Sequence, residues 1–126
     1  RRSFAEAGVS IADVDIAEVH DCFTINQLLT TEALGLSKDG RAGFEYQEGR
    51  FGRDDTQCCV NLSGGLKAKG HPVGATGVSM HALVYKQLAG EPIGAAPAAR
   101  APEVGVTFNV GGSAVTNCVS VLKRTR

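Results

Sequence analysis

Apolar and polar positions alternate along this chain first at Val14, Ile16, Ala17 and Val19, with Asp15 and Glu18 between them. That spacing predicts a short strand over 14–19 with His20 and Asp21 at its exit. Phe23, Leu28, Leu29, Ala33 and Leu34 then share one face of a helix that Gly35 ends, with Asp21 the expected cap at its start. Met80, Val84 and Leu88, with Leu83 beside them, mark the buried stripe of a second helix ahead of Gly90. Two last strands are predicted over 104–109 and 114–122, joined as a hairpin at Gly111-Gly112.

The segments between these elements have their own character. Residues 2–7 before Gly8 read as the last turns of a helix, so the sequence is expected to begin inside an element. Over 35–56, five glycines are interleaved with charges and with Phe44, Tyr46 and Phe51, which predicts a long ordered loop with little regular structure. Residues 91–102 are rich in Ala and Pro and read as a connection. The order β-α-(loop)-α-β-β predicts an α/β layer ending in an antiparallel pair, within a single domain over 1–126.

Composition narrows the function classes. The 126 residues balance 13 Lys+Arg against 13 Asp+Glu, without the basic stripe of a nucleic-acid module. No apolar run approaches the roughly 20 residues of a membrane helix. The first residues lack a secretory stretch, and the basic tail ending at Arg126 matches no lipid or peroxisomal address. Four cysteines, two of them adjacent, are few for a disulfide scaffold and favour a reducing compartment. A cytoplasmic location is the expectation.

Two stretches carry candidate chemistry. His20-Asp21-Cys22-Phe23 falls at a strand-to-helix turn, where α/β sheets bind ligands. A thiol there meets the positive end of the helix dipole, and His20 can share its proton or donate to an oxyanion. On spacing alone, Cys22 as a small packed hydrophobe and His20 as a satisfied strand-end residue remain open. In Gly70-His71-Pro72, Pro72 pushes His71 into an extended conformation on a glycine-rich loop before a helix. A general base or oxyanion donor is mounted in this way, although a structural turn with an incidental histidine has the same spacing.

Other motifs fail. Gly65 to Gly70 has phosphate-loop spacing but is followed by His71 rather than Lys, and Ser63 lacks its flanking glycine at Asn61. Adjacent Cys58 and Cys59 cannot easily share a tetrahedral zinc site with His20, Cys22 and His71, so no metal is expected. His81 reads as a partly exposed helical residue, Asp21 as a cap rather than a catalyst, and Cys118 as core.

The residues from Gly64 to Gly77 resemble the thiolase signature GG-x-x-A-x-GHP-x-GATG nearly residue for residue, and His20-Asp21-Cys22-Phe23 resembles the HDCF motif of the sterol-carrier-protein-type branch. Ordinary thiolases carry NEAF there. The resemblance runs over essentially the whole chain. It implies the C-terminal thiolase domain, a layered α/β mixed sheet whose first strand is expected to be missing. It also implies an acyl-CoA acyltransferase that condenses or thiolyses 3-ketoacyl-CoA, an enzyme of lipid metabolism such as an acetyl-CoA acetyltransferase, with coenzyme A thioesters as substrates and no bound cofactor. By resemblance His71 activates a nucleophilic cysteine in the N-terminal half, Cys22 is the acid/base, His20 an oxyanion donor and the Gly111 amide a second donor.

The C-x-GG turn in which ordinary thiolases place their acid/base cysteine here reads Asn109-Val110-Gly111-Gly112, which agrees with that task having moved to Cys22. The N-terminal thiolase half, a homo-oligomeric mate and a small zinc-ribbon protein are the implied partners; nucleic acid is not. The isolated chain is expected to be inactive. Two alternatives share the fold: a retro-aldolase acting on hydroxyacyl-CoA, whose branch departs from the HDCF cysteine, and a non-catalytic subunit that binds CoA esters.

Overall fold

The computed structural model describes residues 2–125; Arg1 and Arg126, the latter part of the basic tail, lie outside them. The elements run α1 (Arg2–Ala7), a 3₁₀ turn at Ile11–Asp13, β1 (Ile16–Val19), α2 (Thr24–Leu34), α3 (Ala42–Gln47), β2 (Cys59–Val60), α4 (Gly65–Lys69), α5 (Thr76–Leu88), β3 (Val104–Gly111) and β4 (Thr116–Lys123). The sheet has the order β2-β1-β3-β4. Its first three strands are parallel, and β4 returns antiparallel to β3. This is the layered α/β mixed sheet expected from the sequence.

The strand over 14–19 forms as β1, but its alternation does not divide buried from exposed. All four residues of β1 are buried, Glu18 included, because layers pack on both faces. Ala17 and Val19 face a large cluster with Leu34, Leu36, Phe51, Val60 and Val106. Ile16 faces a smaller one with Cys59, Val84 and Leu88, under α5. A Cβ on Gly105 would overlap Val84 Cγ1, so a glycine there lets α5 seat on β3.

Both long helices end where the glycines predict. Gly35 takes the left-handed conformation after α2 (φ 89°), which a Cβ would disfavour. The buried residues of α5 include Met80, Leu83, Val84 and Leu88.

Four expectations are corrected. The stretch over 35–56 contains a helix, α3, packed on α2 through Tyr46, whose hydroxyl lies 3.0 Å from Thr31 Oγ1. The hairpin turns over Gly112–Val115, two residues later than expected, with Ser113 and Ala114 at positive φ. Asp21 does not cap α2, whose start has no side-chain cap; its carboxylate reaches α4 instead. Cys118 is exposed rather than core, because the hairpin end of β4 runs past β1 on the sheet edge, where nothing covers it. His81 stays on the half-buried flank of α5, with Nδ1 2.7 Å from Gly77 O.

Candidate active site

Three parallel strands end on one side of the sheet, where ligands of α/β sheets bind. β1 delivers His20 there, and the end of β3 delivers Asn109 to Gly111. The segment after β2 crosses the same end as α4 and the Gly70–Ala75 loop, and so brings in His71. His20, Cys22, His71 and Gly111 line one cavity of about 450 Å³, with Phe23, Asn26 and Val73 on its walls. The sequence-predicted residues therefore meet in one place.

The two imidazoles meet edge to face, centroids 4.9 Å apart at 84°. They differ in exposure: His20 is 4% exposed, while His71 is open to solvent. His71 Nδ1 lies 2.5 Å from Thr76 Oγ1, and that hydroxyl lies 3.2 Å from the Pro72 carbonyl. A carbonyl only accepts, so the arrangement satisfying both contacts has Thr76 donating to Pro72 and His71 Nδ1 donating to Thr76. The Nε2 of His71 is then left with its lone pair, the form a general base needs.

His20 Nδ1 lies 2.9 Å from Asn109 Oδ1. With the amide oxygen so placed, Nδ1 carries the proton. Turning the amide over presents Nδ2 to a bare Nδ1 and moves the proton to Nε2, the atom an oxyanion donor uses. Asn109 therefore decides what His20 offers.

Cys22 is half-buried, and its sulfur accepts a hydrogen bond of 3.0 Å from Asn26 Nδ2 one helical turn ahead. Gly111 is the last rung of the β3–β4 ladder, opposite Thr116. Phe108 O accepts from His20 N, and Glu103 O accepts from Arg124 N. Even-numbered residues of β3 thus turn their backbone toward β1 and odd-numbered ones toward β4, so the Gly111 amide points to β4.

Two further contacts bind the histidine loops together. Asp21 Oδ1 accepts from Leu66 N at 2.9 Å, supplying an acceptor to the first turn of α4. Glu18 Oε2 receives Lys69 Nζ at 3.0 Å and Ser63 Oγ at 2.7 Å. Cys58 and Cys59 belong to opposite faces of the sheet, so they share no site. Burial pushes the Cys58 thiol far above the usual range, and the Cys59 thiol up to about 11 with Asp55 adding to the effect. Among the described residues, no group of three or more His, Cys, Asp or Glu is placed to hold a metal.

Sequence reasoning missed Asn109, Asn26 and Thr76 as partners of the reactive groups. Asn26 had a signal, being four residues after Cys22 on a predicted helix. Asn109 had none, because 89 residues separate it from His20.

The fold is therefore an α/β domain whose parallel-sheet end gathers His20 and Cys22 from one loop and His71 from another. The chain belongs to the thiolase C-terminal domain-like family, whose model matches residues 1–124. It is 42% identical over 124 residues to an acetyl-CoA acetyltransferase of Methanothermobacter thermautotrophicus, covering 98% of this chain and 32% of that protein. It is 45% identical over 94 residues to sterol carrier protein 2 of Oryctolagus cuniculus, covering 72% of this chain and 16% of that one. The likeness to sterol carrier protein 2 places the chain beside the sterol-carrier-protein-type branch. A solved structure titled Ltp2-ChsH2(DUF35) aldolase superposes at a TM-score of 0.77 over 97% of this chain and 30% of its own, at 21% identity, which shows the shared fold. The chain thus spans about a third or less of the proteins it matches.

Proposed function

We propose that this chain supplies the acid/base and oxyanion half of a thiolase site, for thiolysis or condensation of 3-ketoacyl-CoA. The observation that carries the reading is the convergence of His20, Cys22 and His71 on one cavity. In the thiolysis direction His71 Nε2 takes the proton of a nucleophilic cysteine in the remaining part of such an enzyme. The thiolate adds to the 3-keto carbon. The bond between carbons 2 and 3 breaks, its electron pair forms the enolate of the departing acyl-CoA, and Cys22 gives a proton to carbon 2. Free CoA then takes the acyl group from the cysteine, its thiol proton going to Cys22 while His71 returns its proton to the leaving cysteine sulfur. The enolate oxygen is met by His20 Nε2–H, which requires the Asn109 amide turned to donate to Nδ1 or an imidazolium. Preorganised donors of this kind are worth about 10²–10³ in rate. The Gly111 amide serves a second oxyanion once its rung against Thr116 opens.

None of the four cysteines here fits the acyl-accepting role: Cys22 is taken by the acid/base task, Cys58 and Cys59 are buried, and Cys118 lies off the cavity wall. The chain alone is therefore inactive, and the N-terminal thiolase half is its first partner. A second copy of the chain, a zinc-ribbon protein and a cytoplasmic setting complete the proposal.

The test joins the chain to an N-terminal half built on its relatives and follows acetoacetyl-CoA thiolysis. Activity should require both parts and disappear in Cys22→Ala. Turnover by this chain alone would sink the two-part reading. Cleavage of a hydroxyacyl-CoA that survives Cys22→Ala would instead favour the retro-aldolase, and CoA-ester binding without turnover the non-catalytic subunit.

A further inference from the structure

Besides Asn109, the cavity holds a second polar side chain that neither motif contains and that touches a reactive atom. Asn26 is the third residue of α2, and among the described residues its Nδ2 is the only hydrogen-bond partner of the Cys22 sulfur, at 3.0 Å. Its backbone is fixed on both sides: Asn26 N donates to Phe23 O at 2.9 Å, and Asn26 O accepts Thr30 Oγ1 at 2.7 Å. The amide is thus held by the helix and aimed back over the preceding turn, as the side chains of helical residues are.

We propose that Asn26 is the positioning residue of the Cys22 thiol, fixing the sulfur toward the cavity and stabilising its ionised form through the Nδ2–H donor. An amide N–H donates strongly to a thiolate and weakly to a neutral sulfur, so this contact favours the charged state. The opposite orientation, with Oδ1 toward sulfur, would accept the thiol proton and favour the neutral state. The two orientations carry opposite signs, and the proposal commits to the first. Other titratable groups near the sulfur are His20 at the end of β1, His71 ahead of α5, and Asp21, whose carboxylate is turned to the Leu66 amide. The consequence for turnover rests on the acid/base reading of Cys22; the contact itself does not.

The test measures iodoacetamide alkylation of Cys22 across pH 6–10 in the intact protein, read by mass spectrometry of the peptide that contains it. Asn26→Leu keeps the size and removes the donor. It should slow alkylation about tenfold near neutral pH, leave the limiting rate at high pH unchanged, and so move the profile to higher pH. Asn26→Asp, which keeps the shape should Asn26→Leu fold poorly, should move it further by placing a negative charge on the sulfur. An unmoved profile, faster alkylation near neutral pH in either variant, or an equal change at every pH would overturn the proposal. A moved profile with unaltered thiolysis would uphold the contact and remove Cys22 from the acid/base role.

Discussion

Glu18 and Lys69 stand two residues before His20 and His71 respectively, and their side chains form a 3.0 Å ion pair under the site. Glu18 is 4% exposed, and its carboxylate is met by this partner and by the Ser63 hydroxyl and backbone N–H. The pair ties the end of β1 to the end of α4 at matching distances from the two imidazoles.

Lys69→Met therefore should leave a buried carboxylate unpaired and cost about 3 kcal/mol. Adding Glu18→Gln should recover part of that loss, since the uncompensated charge is then gone. Urea denaturation of the two variants checks the order.

Gly65→Ala tests the second tie. Gly65 lies at φ 68°, and a Cβ there would overlap the Asp21 carboxylate that holds Leu66 N. A loss of at least about 1 kcal/mol is expected, with strain and displaced carboxylate both contributing. Asp21→Asn keeps an acceptor and should cost less than Asp21→Ala, which removes a cap worth about 1 kcal/mol. Equal losses for the two Asp21 variants would refute the capping role.

Thr76→Val removes the oxygen that holds His71 Nδ1 while keeping the shape of the side chain. Nitrogen chemical shifts should show neutral His71 protonated at Nδ1 in the parent and both tautomers populated in the variant. Thiolysis by the reassembled enzyme should fall about 10- to 100-fold with the binding of substrate little changed. A parent already mixed in tautomer would contradict the assignment.

Burial of Cys58 and Cys59 predicts a labelling pattern. Cys22 and Cys118 should react with iodoacetamide at pH 8, and Cys58 and Cys59 only after unfolding. The Cys59 thiol is raised from 9.0 to about 11 in the fold, so the unfolded chain loses its proton first as pH rises. Stability from this group is full below about pH 9 and declines through pH 11. Cys59→Ala should flatten the alkaline fall of the urea midpoint over that window. A slope identical to that of the parent would show that the thiol titrates alike in the folded and unfolded chains.

The local chemistry of the chain was legible wherever a few neighbouring residues decide the outcome. Gly35 ends α2, Met80, Val84 and Leu88 form the buried stripe of α5, and the GHP loop ahead of α5 bears His71. Local sterics and a 3.6-residue period suffice for these features. Tertiary structure decided which groups meet. Asp21 serves α4 rather than α2, Glu18 is buried although it occupies the polar phase of its strand, and Cys118 is exposed although it lies in the last strand, where core was expected. The pairing of His20 with Asn109 and of His20 with His71 follows from the parallel register of β1 with β3 and the crossing of the α4–α5 segment over their ends. Such contacts join residues 50 and more positions apart, and no pattern within either segment encodes its partner. What each side chain offers was written locally, and which proton His20 holds was set by the distant neighbour that folding brought to it.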